Sequence, residues 1–322
     1  ICHNINTKNN IMIKKVLKVS LIATLGFFVS CSSDNDDVVT SKKVTQAFQN
    51  LPDLGSGYVY EGWLIVGNEK ISTGRFSHSE GANYTSSSID ITKVNAATDY
   101  VLTIEPAVET GADLTNPSGW IFSKGTFSGN NATPSTNDAL YKGSSNLETA
   151  ISQAFLKAPS VGTVGSDANG IWFIDALPPT TGGFTNLPTL ADGWIYEGWI
   201  VVNNSSGNPT PVSTGRFTDP NAADVSFFGA SFNNEFKGPN GVPPFPGEDF
   251  IVNPNNRYAG VTFPIDLTSA TVVISIEPTT NDAEAPFGLK PFVQALSNQA
   301  TATAFTIDNK YASKPISGSV TR

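Results

Sequence analysis

The chain has 322 residues, of which 39% are hydrophobic and only 15% charged, with 28 Gly, 21 Pro, two Cys and a formal net charge of −9. A composition this rich in turn formers points to an all-β protein, and its aromatic content with so little charge excludes wholesale disorder. The acidic balance excludes a nucleic-acid partner, because phosphates are neutralised by clustered Lys and Arg.

Residues 1–11 precede the only Met, Met12, and read as translated upstream sequence. Residues 12–30 read as a lipoprotein signal peptide. Lys14, Lys15 and Lys18 precede an apolar run, Val19–Val29, which is well short of the roughly 20 residues that span a bilayer. Ser30–Cys31 resembles the end of a bacterial lipobox, with Phe28 where Leu is usual. The resemblance implies that Cys31 is lipidated and becomes the N-terminus, a membrane attachment through several acyl chains. Residues 31–45 are expected as an acidic, flexible tether. Its start, Ser32–Asp37, resembles the tag of lipoproteins carried to the outer face of Gram-negative outer membranes. This implies an outer-membrane lipoprotein exposed at the cell surface, with a periplasm-facing anchor as the alternative. The first 30 residues hold four of the 19 basic side chains and none of the 28 acidic ones, so the remainder carries 15 against 28, a net charge of −13. With Cys31 lipidated, no internal disulfide is expected.

A first β domain is expected over residues 46–176. "YVYEGWLIV" (Tyr58–Val66) is aromatic, β-branched and bounded by Gly, which reads as a strand. "GNEK" (Gly67–Lys70) reads as a turn into a second strand carrying "STGRF" (Ser72–Phe76). His78 lies in the polar stretch "FSHSEGANY" and reads as an exposed loop residue. "YVLTIEP" (Tyr100–Pro106) is a further strand, ended by a Pro that cannot donate to a ladder. Ile151–Asp175 reads as strand, loop, strand, closing the first sandwich. Leu177–Asn186, "LPPTTGGFTN", is expected as the interdomain linker.

A second β domain is expected over residues 187–322. It repeats the first in order: "YEGWIVV" (Tyr196–Val202), "STGRF" (Ser213–Phe217) and "ISIEPT" (Ile274–Thr279). "NPSGW" (Asn116–Trp120) finds a weaker echo in "APFGL" (Ala285–Leu289). A tandem duplication follows, giving two homologous sandwich-like domains. The extra residues of the second copy fall in the turn-forming "NNSSGNPTP" (Asn203–Pro211), as expected of a hairpin loop. A larger insertion, residues 227–257, carries Phe227, Phe228, Phe232, Phe236, Phe245 and Phe250. These six form a candidate binding loop, since exposed aromatics on an ordered loop suit sugar or protein ligands. Packing of the same rings onto the sandwich is the alternative.

If each hairpin folds in this way, Glu61 stands nearly opposite Arg75, and Glu197 nearly opposite Arg216. These are read as two structural cross-strand pairs that pin register, with ligand binding as the alternative role.

The order "YEGWLIV", "STGRF", "TIEPA", "NPSGW" resembles the extracytoplasmic C-terminal domain of the anti-sigma-K factor family, once over about residues 50–125 and again over 187–295. The resemblance implies the β fold of that outer module. The family's cytoplasmic sigma-binding segment and transmembrane helix have no counterpart here, so direct sigma-factor binding is not expected.

No G-x-S-x-G, H-E-x-x-H, Walker or G-x-G-x-x-G pattern occurs. His78 is the one His beyond the signal, too few for a His-based triad or a zinc site. "SDNDD" lacks the spacing of a calcium loop. No metal, cofactor or catalytic residue is expected. The expected function is a non-enzymatic, membrane-anchored surface module that binds protein or glycan. An envelope sensor acting through another membrane protein is the first alternative. A carbohydrate-active enzyme, which needs only two carboxylates in a cleft, is the second.

Overall fold

The computed structural model describes Val39–Arg322 apart from residues 110–114, 138, 144–145, 163–165, 176–179, 226–235, 239 and 281–282. Cys31, the signal and the start of the tether therefore lie outside the described residues. In chain order the strands begin with β1 (Ser41–Lys42), β2 (Thr45–Gln49), β3 (Tyr58–Val66), β4 (Glu69–Phe76), β5 (Tyr84–Thr85) and β6 (Ile89–Asp90). One short α-helix among the described residues, α1 (Ile91–Ala96), precedes β7 (Asp99–Pro106), β8 (Ile121–Thr126), β9 (Asn131–Ala132), β10 (Ile151–Leu156), β11 (Gly170–Trp172) and β12 (Phe184–Thr185). Then follow β13 (Trp194–Asn203), β14 (Pro209–Phe217), β15 (Gly247–Asp249), β16 (Thr271–Pro278), β17 (Leu289–Ala295), β18 (Ala304–Ile307) and β19 (Ser317–Thr321). The fold is all-β, as the composition indicated.

Two four-stranded antiparallel sheets share one plan. The first runs β4-β3-β7-β8 and the second β14-β13-β16-β17. Their registers match residue for residue: Glu61 faces Arg75 and Thr103 in one, Glu197 faces Arg216 and Ser275 in the other. Both first hairpins slip by one residue at the same place, after Gly62 and after Gly198. The first hairpin turns on two residues, Gly67 and Asn68, with Glu69 already paired to Val66. Gly67 has φ +59°, the left-handed conformation that Gly supplies in such tight turns. The second copy makes the same turn through the longer Asn204–Asn208 loop, where Asn204 Oδ1 accepts from Ser206 N at 2.9 Å.

Alternation sets the core. Tyr60 and Leu64 of β3, Phe76 of β4, Tyr100, Leu102 and Ile104 of β7, and Phe122 of β8 point inward and are buried. A second sheet, β5-β2-β19-β9, covers them, with Phe48 of β2 meeting Phe76 at 6.2 Å between ring centroids. In the second half, Tyr196, Ile200, Val272, Ile274 and Phe292 are covered by the sheet β12-β10-β11-β15, to which β18 adds by pairing β10. One hydrophobic cluster runs through both halves, and residues 39–322 form one compact unit.

The strand partners depart from the chain-order assignment in three places. Ile151–Leu156, assigned to the first sandwich, pairs with Ala304–Ile307 and Phe184–Thr185, while Gly170–Trp172 pairs with Gly247–Asp249. In return, the last strand, Ser317–Thr321, pairs with Thr45–Gln49 and with Asn131–Ala132 of the first half. Residues 39–45 are not a free tether: Ser41 pairs with Asp90, and Val44 is fully buried with its N–H on Ser86 Oγ at 2.9 Å. Part of the expected linker is likewise structured, since Phe184 pairs with Ser152 and its ring lies tilted against Phe217, 5.4 Å between centroids. Strands adjacent in sequence usually pair. Here each half instead lends strands to the other, a pairing that no local pattern specifies.

Candidate functional site

The repeated string builds a polar network on the outer face of each sheet. Successive residues of a strand point to opposite faces, so Ser72 and Arg75, three apart, would ordinarily point to opposite sides. The one-residue slip makes Thr73 the extra residue of a β-bulge, which brings Ser72 and Arg75 to the same side as Glu61. Gly74, at φ +110°, supplies the backbone that the bulge needs. Ser72 Oγ donates to Glu61 Oε1 at 2.5 Å and accepts from Gly74 N at 3.1 Å. Arg75 Nε stands 3.7 Å from Glu61 Oε2. In the second copy Ser213 Oγ donates to Glu197 Oε1 at 2.7 Å, and Arg216 Nε to Glu197 Oε2 at 2.8 Å.

The Trp of each string joins the same network. Trp63 Nε1 donates to Thr103 Oγ1 at 3.0 Å, and Thr103 Oγ1 donates to Glu105. Glu105 Oε1 also accepts from Ser118 N at 2.8 Å. The counterpart runs from Trp199 Nε1 to Ser275 Oγ at 2.9 Å, on to Glu277, which accepts from Phe287 N at 2.8 Å. Buried polar atoms must be paired to be tolerated, and these residue types at these spacings pair one another.

Burial then separates the two sheets electrostatically. Glu197 has no exposure, and burial pushes its carboxyl up to about 7 despite the guanidinium and the Ser213 hydroxyl, which pull the other way. Burial also raises Glu61, against the lowering effects of Ser72 and Arg75. The Arg216 side chain is 10% exposed, that of Arg75 26%.

That difference marks a cleft of about 280 Å³ at the Pro106 end of the first sheet, lined by Glu105, Pro106, Val108, Glu109, Asn116, Pro117, Ser118 and Trp120. Arg75 reaches towards it, with Nη1 donating to Glu109 Oε2 at 3.0 Å and Nη2 donating to the Pro106 carbonyl. Trp120 is half-buried and held edge-on by Tyr58 at 6.0 Å, which is itself braced by Phe287 at 4.9 Å. Val108 is 85% exposed at the rim.

The same position in the second sheet is closed. Where the first copy has Asn116, Ser118 and Trp120, the second has Ala285, Phe287 and Leu289, and the last two are buried. A Cβ on Gly288 would strike the backbone of Asp53 and Leu54, whereas one on Gly119 would meet nothing within 4 Å. One scaffold thus ends in a filled corner in one half and in an open, polar, aromatic-walled cleft in the other.

Other singled-out residues sit elsewhere. Phe227, Phe228 and Phe232 lie outside the described residues. Phe236 and Phe250 are buried and meet at 5.3 Å, and Phe245 packs on the cluster of Phe155, Trp172 and Ile174. These three are packing residues and not an exposed aromatic surface. They turn inward because β15, between Phe245 and Phe250, is itself paired to β11. His78 is partly exposed, with Nδ1 3.4 Å from Asp53 Oδ1. Sequence reading passed over Trp120, Glu109 and Asn116. The available signal was the weak echo itself, where "NPSGW" keeps polar and aromatic residues that "APFGL" loses. Sequence reading also passed over the buried carboxyls Asp224, Glu248 and Asp249, all raised first of all by burial.

Among the described residues no group of three or more His, Cys, Asp or Glu is placed to hold a metal ion, and no helix is long and apolar enough to cross a membrane. In comparisons with known proteins, no family model, no curated protein and no solved structure matches this chain.

Proposed function

We propose that the chain is a non-enzymatic, lipid-anchored extracytoplasmic protein made of two copies of one β unit, related to the outer domain of anti-sigma-K factors, and that it binds protein or glycan through the cleft of the first copy. The observation that carries this reading is the asymmetry between the halves. The hydrogen-bonded frame is the same, yet among the described residues the corner that Phe287 and Leu289 fill in the second half is a cleft in the first, lined by a braced indole, the exposed Val108 and the largely buried Glu105 and Glu109. Concave sites with a few converging polar groups are where ligands bind. Anchoring at Cys31 and surface exposure complete the proposal. Membrane attachment there leaves the folded residues free to meet ligands outside the cell.

The test is binding by the full-length chain in detergent micelles to panels of glycans and extracellular proteins. Trp120→Leu, which copies Leu289 of the second half, is expected to abolish the binding found while leaving the melting temperature within a few degrees. Binding that survives this substitution places the ligand elsewhere. One observation favours a second reading: Glu105 and Glu109 line the same cleft, as a glycoside hydrolase requires of two carboxylates. Release of new reducing ends from a glycan, abolished by Glu109→Gln, would establish it.

A further inference from the structure

We infer that two copies of this chain exchange strand β19, each completing the other's cover sheet, and that the slot between β2 and β9 is the docking site for it. The inference stands apart from the cleft and rests on the way the two halves are closed. In the first half β19 lies between β2 and β9, antiparallel to both. In the second half β10 lies between β12 and β18, again antiparallel to both, with Ser152 paired to Phe184 on one side and to Ile307 on the other. The flanking strands correspond. Eight residues separate β2 from β3 (50–57) and β12 from β13 (186–193), and β9 and β18 are the strands that follow β8 and β17. In both halves the strand between them comes from the other half of the chain. Neither half supplies that strand to itself, so each is completed from outside itself.

The slot in the first half matches β19 closely. Five of its residues pair with β2 and two with β9. Val320 is fully buried. A Cβ on Gly318 would strike the Phe48 ring, which is itself packed against Phe76 and Tyr100. Thr321 Oγ1 donates to Asn131 Oδ1 at 2.9 Å, and Arg322 donates to the Gly129 carbonyl at 2.9 Å and lies over the Phe127 ring. A strand of unrelated sequence lacks these features, so the occupant that fits is the same strand of a second copy. The segment leading into β19 is lightly held. Asn309 is fastened by hydrogen bonds to the Leu147 and Ala150 carbonyls, but Ala312–Pro315 are exposed, and β19 buries one side chain. The six residues 311–316 reach about 20 Å when extended. The bonds made by β19 are the same in either chain. The choice between chains is therefore set by this segment, which keeps β19 near its own slot at an effective concentration on the order of millimolar. Exchange becomes substantial as the chain approaches that concentration.

The experiment mixes two full-length variants, Ala47→Cys and Ser319→Cys, whose positions face each other across β2 and β19. They are incubated together in sub-denaturing urea and then transferred to a urea-free glutathione redox buffer. A covalent heterodimer forms only where β19 of one chain occupies the slot of the other, and samples of either variant alone subtract any bond made by Cys2 or Cys31. Its yield is expected to rise with chain concentration up to about 1 mM. Gly318→Val added to the Ser319→Cys donor should lower the yield at least about fivefold by overpacking against Phe48. Added instead to the Ala47→Cys acceptor, it displaces that chain's own strand and should raise the yield, which misfolding alone does not do. The double variant Ala47→Cys/Ser319→Cys should close its bond within one chain at low concentration, and failure to do so overturns the register and the inference with it. Closure in the double variant with no heterodimer in the mixture shows that β19 stays with its own chain and overturns the exchange. A heterodimer indifferent to Gly318→Val in both places overturns β19 as the recognised strand.

Discussion

At the scale of single residues, eight charged side chains among the described residues sit where burial disfavours charge. Glu197 is fully buried and its carboxyl sits at about 7, against an ordinary 4.5. A carboxyl raised on folding binds its proton more tightly folded than unfolded. Its stabilisation is complete below about 4.5 and is lost as the pH rises through 7. Asp224 and Glu248 are raised for the same reason and carry the same sign. Asp90, Asp192 and Asp266 are lowered by their hydrogen bonds and act in the opposite sense, but only below about 3.8, outside this window. The melting temperature should therefore fall between pH 5 and pH 8, and Glu197→Gln should flatten much of that fall. The difference between wild type and variant should reach a few kcal/mol across the window, since each pKa unit is about 1.4 kcal/mol. Calorimetry at half-unit pH steps checks it, and parallel curves for the two proteins would contradict it.

At the scale of elements, the hairpin with its bulge is the unit that repeats, and its corner is what diverges. Ala at Gly288 would force a Cβ into the backbone of Asp53 and Leu54, whereas Ala at Gly119 enters open space. Gly288→Ala should cost about 1–3 kcal/mol by overpacking, and Gly119→Ala should lie within about 0.5 kcal/mol of wild type. Urea unfolding of both variants measures this, and equal costs would mean that the two corners are alike. The strands of these hairpins were legible because aromatic and β-branched runs, Gly turns and terminal Pro are local signals. The Glu61–Arg75 juxtaposition was legible because a hairpin fixes register. The bulge was not read, although "STG" encodes it, because its effect is to move Ser72 and Arg75 onto one face, a consequence of pairing and not of composition. The cleft was missed for a related reason. Whether the corner at Leu289 is covered depends on Asp53 and Leu54, which abut Gly288 from the other half of the chain.

At the scale of the whole molecule, the two halves are interlocked by exchanged strands, and the first and last described residues both reach α1. The Thr40 carbonyl accepts from Ile91 N at the start of α1, and the Arg322 guanidinium donates to the Val94 and Ala97 carbonyls at the other end of that helix. Both lie at the Asp99 end of β7, whereas the cleft lies at the Pro106 end, about 23 Å away for eight strand residues. The same geometry makes the last strand structural for residues far from it in sequence. β19 lies between β2 and β9, and its one buried side chain, Val320, sits in the common core. Removing residues 317–322 leaves Thr45–Gln49 without a partner along its whole length on that side, at about 1 kcal/mol per lost ladder hydrogen bond. It also strips the C-terminal carbonyls of α1 of the Arg322 guanidinium. Hydrogen exchange on the truncated chain should then show amides of β2 and α1 exchanging about a hundredfold faster or more. Those of β13 and β16, whose partners are intact, should change much less. Equal acceleration in both halves would show that the shared core unfolds as one unit, and no acceleration in β2 would show that β19 is dispensable.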